Sequence, residues 1–158
     1  MEGTTAGAVA VLDDDLRFLR MVERMLQGHG LRMQPVTTPD PDDAVRVVEQ
    51  SDASAALIDI YMYGEAAGFS VIDRLRANPA TAGIPIIVTS AARREIARNR
   101  EFLRAARCAV LQKPFGMDDL LCCVDRAIAG EDIASAIVDI TSERQPRLPS
   151  AGNEYAGA

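Results

Sequence analysis

Short apolar runs recur along the chain, and each stops at a polar side chain. Ala8 to Leu12 ends in Asp13, Asp14 and Asp15. Ala55 to Ile58 ends in Asp59, Ile84 to Val88 ends in Thr89 and Ser90, and Ala109 to Gln112 ends in Lys113 and Pro114. Runs without alternation predict strands buried on both faces, the signature of a parallel sheet. Leu31 to Val36 supplies a further strand. Between the runs the period lengthens. Phe18, Leu19, Val22, Met25 and Leu26 share one helical face, opposite Arg17, Arg20, Glu23, Arg24 and Gln27, and Gly28 and Gly30 mark the stop. The turn Thr38-Pro39-Asp40-Pro41 starts a helix to about Gln50, with Ala44, Val45 and Val48 inward. Tyr61 to Gly68 reads as a loop, followed by helices over Phe69–Ala77, Arg93–Arg107 and Met117–Ala129.

Five strands alternating with five helices predict an α/β fold: a five-stranded parallel sheet, doubly wound as (βα)5. Right-handed crossovers leave few arrangements of it. One domain is expected over residues 1–130. A C-terminal helical extension over 131–141 carries Ile133, Ile137 and Ile140 at helical spacing, suited either to docking on the same domain or to a dimer contact. Residues 142–158, rich in Pro, Gly, Ser and Ala, read as a disordered tail.

Composition narrows the functional classes. The 158 residues are 48% hydrophobic and 25% charged, with 23 acids against 17 Lys and Arg, a net charge of −6. That balance argues against a general nucleic-acid or anionic-membrane binder, so direct DNA binding is not expected. Only 29 residues follow Ala129, too few for a helix-turn-helix output domain of roughly 60 residues. The cysteines, at 108, 122 and 123, are odd in number and read as packing residues in a reducing compartment. The single histidine, His29, reads as a surface turn residue. The start has no basic n-region, and no apolar run approaches the roughly 20 residues of a membrane span. A cytoplasmic protein is expected. No Gly-x-x-x-x-Gly-Lys loop, Gly-x-Gly-x-x-Gly fingerprint or CxxC pair is present.

In an open parallel sheet the carboxyl ends of the strands share one edge, where ligands bind at the topological switch point. Four predicted strands would bring Asp13, Asp14, Asp59, Ser90 and Lys113 there. Clustered carboxylates repel one another, and a divalent cation relieves the repulsion. Carboxylates with few other protein ligands suit Mg²⁺, which keeps several waters and binds phosphate oxygens. A hydroxyl and an ammonium beside it complete a site for a phosphoryl group, with Asp59 as nucleophile. Asp13 and Asp14 could equally be N-cap residues, Ser90 a cap, and Lys113 a solvated surface lysine. Their common register favours the chemical reading.

Four stretches, in this order and each closing a strand, carry a resemblance. They are Val11-Leu12-Asp13-Asp14-Asp15, Leu57-Ile58-Asp59-Ile60-Tyr61-Met62, Ile84-Pro85-Ile86-Ile87-Val88-Thr89-Ser90-Ala91 and Lys113-Pro114-Phe115. Over about residues 8–129 the chain resembles the receiver domain of bacterial response regulators. The resemblance implies the flavodoxin-like strand order 2-1-3-4-5. It implies Asp59 as phosphoacceptor and Asp14 as direct Mg²⁺ ligand, with Asp13 acting largely through water and the Tyr61 carbonyl as a further ligand. It also implies Ser90, rather than Thr89, as switch hydroxyl, Lys113 as the phosphoryl-pairing amine and a cis Lys113–Pro114 bond.

The implied function is a single-domain response regulator that is phosphorylated by a sensor histidine kinase or a histidine phosphotransfer protein. It would signal through a downstream protein partner, a homodimer or onward phosphotransfer. It would be no enzyme beyond Mg²⁺-dependent self-phosphorylation and self-dephosphorylation. Three departures motivate an alternative, a divergent pseudo-receiver acting as a phosphorylation-independent interaction module. Tyr63 replaces the family's proline, the loop Gly64–Gly68 is one residue longer, and Val110 stands at the aromatic switch position. Arg93–Arg107, with six arginines and two glutamates, reads as a solvated helix face or as a docking surface for an acidic partner. A Mg²⁺-dependent phosphatase or nuclease would need a second acid where Tyr61 stands, or a basic substrate groove.

Overall fold

A computed structural model describes residues 7–134 of the chain. The five strands are β1 (Ala8–Leu12), β2 (Arg32–Val36), β3 (Ala53–Asp59), β4 (Ile86–Ser90) and β5 (Cys108–Gln112). They form one sheet in the order β2-β1-β3-β4-β5, with every pairing parallel. The chain first steps from β1 outward to β2, then returns to β3 on the other side. The reversal beside β1 is the switch point, and the carboxyl ends of β1, β3, β4 and β5 meet at that edge. The edge strand β2 tolerates Pro35 and exposed side chains because one flank carries no ladder.

The helices are α1 (Leu16–Gly28), α2 (Pro41–Gln50), α3 (Ala67–Ala77), α4 (Arg93–Arg98), α5 (Arg100–Ala105) and α6 (Met117–Ile128). Asp15 caps α1 by accepting the Arg17 and Phe18 backbone N–H groups at 2.9 and 3.4 Å. Asp40 caps α2 in the same way, with Pro41 in the first turn. One apolar cluster joins Val9, Val11, Leu57 and Ile87 of the sheet to Phe18, Leu19, Val22 and Leu26 of α1 and Leu120 and Val124 of α6. On the other face Ala10, Leu12, Ile58 and Val88 pack against α2, α3 and Leu103 of α5. Both faces of the sheet are therefore dry, as its unbroken apolar runs require.

Three expectations change. The stretch Arg93–Arg107 is two short helices, not one, because the backbone breaks at Asn99 (φ −106°, ψ 19°). The Asn99 side-chain amide donates to the Glu95 carbonyl at 2.9 Å, competing with the helical ladder. So six helices stand where five were expected. Helix α3 starts at Ala67 rather than Phe69, because Gly68 already packs on the strand exit. Cys122 is exposed rather than packed, while Cys108 and Cys123 are buried. The expected extension beyond Ala134 and the tail over 142–158 lie outside the described residues.

Candidate functional site

Each acid at the sheet edge arrives by a separate route. Asp13 leaves β1 on the side of Lys113 and is 1% exposed. Its Oδ1 accepts the Asp15 N–H at 2.8 Å. Asp14 faces solvent, and its Oδ2 accepts the Tyr63 N–H at 2.7 Å. Asp59 closes β3, and its Oδ1 accepts the Tyr61 N–H at 3.1 Å. One ligand oxygen from each of Asp13, Asp14 and Asp59 lies within 4.8 Å of the others. Asp15, not Asp13 or Asp14, is the helix cap, so those two acids are left for other work.

Lys113, from the end of β5, enters this group. Its Nζ donates to Asp13 Oδ2 at 2.7 Å and to Asp59 Oδ2 at 3.1 Å, and lies 3.9 Å from the centroid of the Phe18 ring. Burial alone would lower the lysine's pKa, but its bonds to Asp13 and Asp59 outweigh burial and hold it above the ordinary value. At Asp59 burial wins: the pKa is raised above 3.8 although Lys113 pulls it down, and Asp13 adds to the rise. The two shifts do not mirror each other, because Lys113 divides its bonds between two carboxylates. Three acids against one ammonium leave the site short of positive charge.

The donor set fits a small hard divalent cation. It is all oxygen, and each carboxylate oxygen keeps a lone pair beyond the bond it already accepts. The Tyr61 carbonyl accepts no hydrogen bond among the described residues, so it too is available. The Lys113–Pro114 peptide is cis, as the resemblance implies.

Ser90 reaches the same edge without a hydrogen bond to Asp59. Its buried Oγ accepts the Ala92 N–H at 3.1 Å. The register partner of Asp59 is Thr89, whose buried Oγ1 has no hydrogen-bond partner. Val110 is half-buried on the face of Val88.

Two features of the site escaped the sequence reading. Met62 and Glu65 bond to each other through both backbone N–H groups at 3.0 and 3.1 Å. The residues between them, Tyr63 (φ 57°) and Gly64 (φ 77°), are both left-handed, the pattern of a type I′ turn. A proline at 63 could not adopt that φ and would lack the N–H that holds Asp14. The replaced proline and the longer loop are thus one device, anchored further by the Tyr63 hydroxyl donating to the Thr37 carbonyl. The second feature is Gly68: a Cβ there would sit 2.3 Å from the Asp59 carbonyl oxygen and 2.7 Å from Ile60 Cα. Only glycine lets α3 approach the end of β3 so closely. Away from the site, His29 Nε2 lies 2.8 Å from Asp125 Oδ1, joining α1 to α6. The left-handed turns and the tyrosine-for-proline exchange carry some local signal; the His29 contact carries none.

The model of the response regulator receiver domain family matches residues 9–125. Among solved structures, a receiver domain of a sensor histidine kinase from Pseudomonas aeruginosa aligns at 26% identity, TM-score 0.65, over 79% of this chain and 99% of that one. That structure holds a magnesium ion coordinated in its active-site cleft. A chemotaxis protein of Vibrio cholerae aligns at 20% identity, TM-score 0.67, over 78% and 99% of the two chains. A response regulator receiver domain protein from Methanospirillum hungatei aligns at 19% identity, TM-score 0.69, over 80% and 96%. The last two establish likeness of fold alone. No curated protein matches the chain.

Proposed function

The chain belongs to the response regulator receiver domain family, and from that premise we propose that it accepts a phosphoryl group on Asp59 from a histidine of a sensor kinase or phosphotransfer protein. The observation that carries this reading is the convergence of Asp13, Asp14 and Asp59 within 4.8 Å, bridged by Lys113. A carboxylate oxygen of Asp59 attacks phosphorus; the P–N bond to the donor imidazole breaks, and the ring keeps that electron pair. The product is an acyl phosphate on Asp59. Lys113 exchanges its bond to Asp59 Oδ2 for one to a phosphoryl oxygen, and Asp13 keeps the ammonium in place. Asp13, Asp14, Asp59 and the Tyr61 carbonyl would hold Mg²⁺, which would supply the positive charge that the arriving phosphoryl oxygens require.

Ser90 gives up the Ala92 N–H and turns its hydroxyl to the phosphoryl group. That releases the connection into α4, which buries no residue of its own and so is the element easiest to move. The change biases a two-state element read out by a protein partner, a homodimer or onward phosphotransfer. Each protein turns over once per phosphoryl group, so the chain is the acceptor of the reaction rather than an enzyme. A cytoplasmic site of action follows from that donor; among the described residues no helix is long and apolar enough to cross a membrane.

The test is phosphoryl transfer from a cognate kinase or from acetyl phosphate, comparing wild type with Asp59→Asn. Labelling of the wild type alone is expected; equal labelling of both rejects the assignment. The second reading, a phosphorylation-independent module, draws on α4 and α5. Of the five exposed arginines of these helices and the one in the following turn, only Arg98 meets a carboxylate among the described residues, Glu95 at 3.4 Å. A Mg²⁺-dependent, saturable complex with beryllofluoride supports the first reading, and its absence supports the second.

A further inference from the structure

Strands β4 and β5 stay in register to their carboxyl ends, where Ser90 stands opposite Gln112. Register partners in adjacent strands share a sheet face, and neighbouring strands lie about 4.8 Å apart. By alternation this is the face of Val88 and Val110, not that of Ile87 and Leu111. The Nε2 of Gln112 is buried there without a hydrogen-bond partner. A buried amide donor with no acceptor is a standing cost to the fold. Beside it, Ser90 Oγ is occupied by the Ala92 N–H at 3.1 Å. Two positions before Gln112 on the same face stands Val110, too short and apolar to follow a moving hydroxyl.

We propose that Gln112 couples the site to α4, holding the Ser90 hydroxyl in its turned position and taking over the backbone group that Ser90 releases. The inference rests on the phosphoacceptor reading of Asp59. When Ser90 donates to a phosphoryl oxygen, the Ala92 N–H loses its acceptor one residue before α4 begins. A carboxamide carries both a donor and an acceptor. Nε2 donates to the freed lone pair of Ser90 Oγ, and Oε1 accepts from Ala92. In the described state the Gln112 amide donor is unpaired; the turned state pairs it and re-pairs Ala92. The unpaired amide thus favours the turned state, with a polar bond doing the work that an aromatic ring at position 110 would do by filling space. Gln112 touches no reacting atom; it is a positioning residue.

The experiment compares wild type with Gln112→Leu, which keeps the side chain's bulk and removes the carboxamide. In the full chain, beryllofluoride affinity is measured by calorimetry at saturating Mg²⁺, Mg²⁺ affinity is measured alone, and the unliganded thermal midpoint is recorded. Expected are a roughly 5–10-fold weaker beryllofluoride complex, the worth of about one hydrogen bond, Mg²⁺ affinity unchanged within about twofold, and an unliganded midpoint equal to or above wild type. Equal beryllofluoride affinity in the two proteins overturns the proposal while leaving the phosphoacceptor reading intact. So does a lowered midpoint with both affinities reduced, which marks a merely structural glutamine. A wild type that binds no beryllofluoride overturns the phosphoacceptor reading and this inference with it.

Discussion

At Asp59, burial and neighbouring charge pull in opposite directions. Burial raises its pKa, Lys113 opposes the rise, and Asp13 reinforces it. A group whose folded pKa is raised stabilises the fold below its unfolded value, and that contribution is lost as pH rises through the folded one. At neutral pH the ionised Asp59 is therefore a cost. Asp59→Asn is expected to raise stability without cation by about 1–3 kcal/mol, the range for relieving one poorly compensated buried group. The gain should be full above the folded pKa and shrink as pH falls toward 3.8; urea titrations at pH 7 and pH 4 measure it. A mutant no more stable than wild type at pH 7 refutes this account. The cysteines give a second prediction. Burial pushes the Cys108 and Cys123 thiols up to about 11 each, so at pH 8 roughly one in a thousand is thiolate. Exposed Cys122 should take up a thiol reagent in the native protein, and the other two only on unfolding. Peptide mapping after a short labelling pulse distinguishes the three.

At the scale of elements, the approach of α3 to β3 depends on one missing methyl group. Gly68→Ala would place Cβ 2.3 Å from the Asp59 carbonyl oxygen, and neither backbone can yield without moving Asp59. A loss of about 2–3 kcal/mol is expected, together with weaker Mg²⁺ binding. Denaturant midpoints and a cation titration read the two effects; an unchanged midpoint would show that the helix can retreat freely. The break between α4 and α5 calls for the opposite change. Asn99 is a poor helix former whose amide holds the Glu95 carbonyl. Asn99→Ala is expected to join the helices, raise helical content by circular dichroism and add about 0.5 kcal/mol of stability. Lower helicity would mean that packing of Leu103, the buried residue of α5, sets the break instead.

At the scale of the whole molecule, three clustered carboxylates face one ammonium, so a cation bound among them should stabilise the fold. Mg²⁺ binding to the folded state alone should raise the melting temperature by about 3–5 °C per tenfold once its concentration exceeds the dissociation constant. Chelator should reverse the rise, and Asp14→Asn should abolish most of it. A wild-type melting temperature indifferent to Mg²⁺ contradicts the cation site. The strands, their parallel pairing and the polar residues at their ends were legible in the chain because burial on both faces imposes unbroken apolar runs, and a run can end only where the backbone leaves the core. Helix positions were legible to within a residue or two wherever one face is apolar, and failed at Asn99, where a local side-chain bond overrides the pattern. Apolar patterning alone could not supply the contacts between distant segments. Lys113 reaches Asp13 across 100 positions and Asp59 across 54, and His29 reaches Asp125 across 96. The close seat of Gly68 and the unpaired amide of Gln112 opposite Ser90 belong to the same class. Hydrophobic period is written residue by residue, whereas distances between side chains are set only when both sheet faces have packed; so the chain by itself determined the fold and the candidate acids, and tertiary packing decided which groups touch.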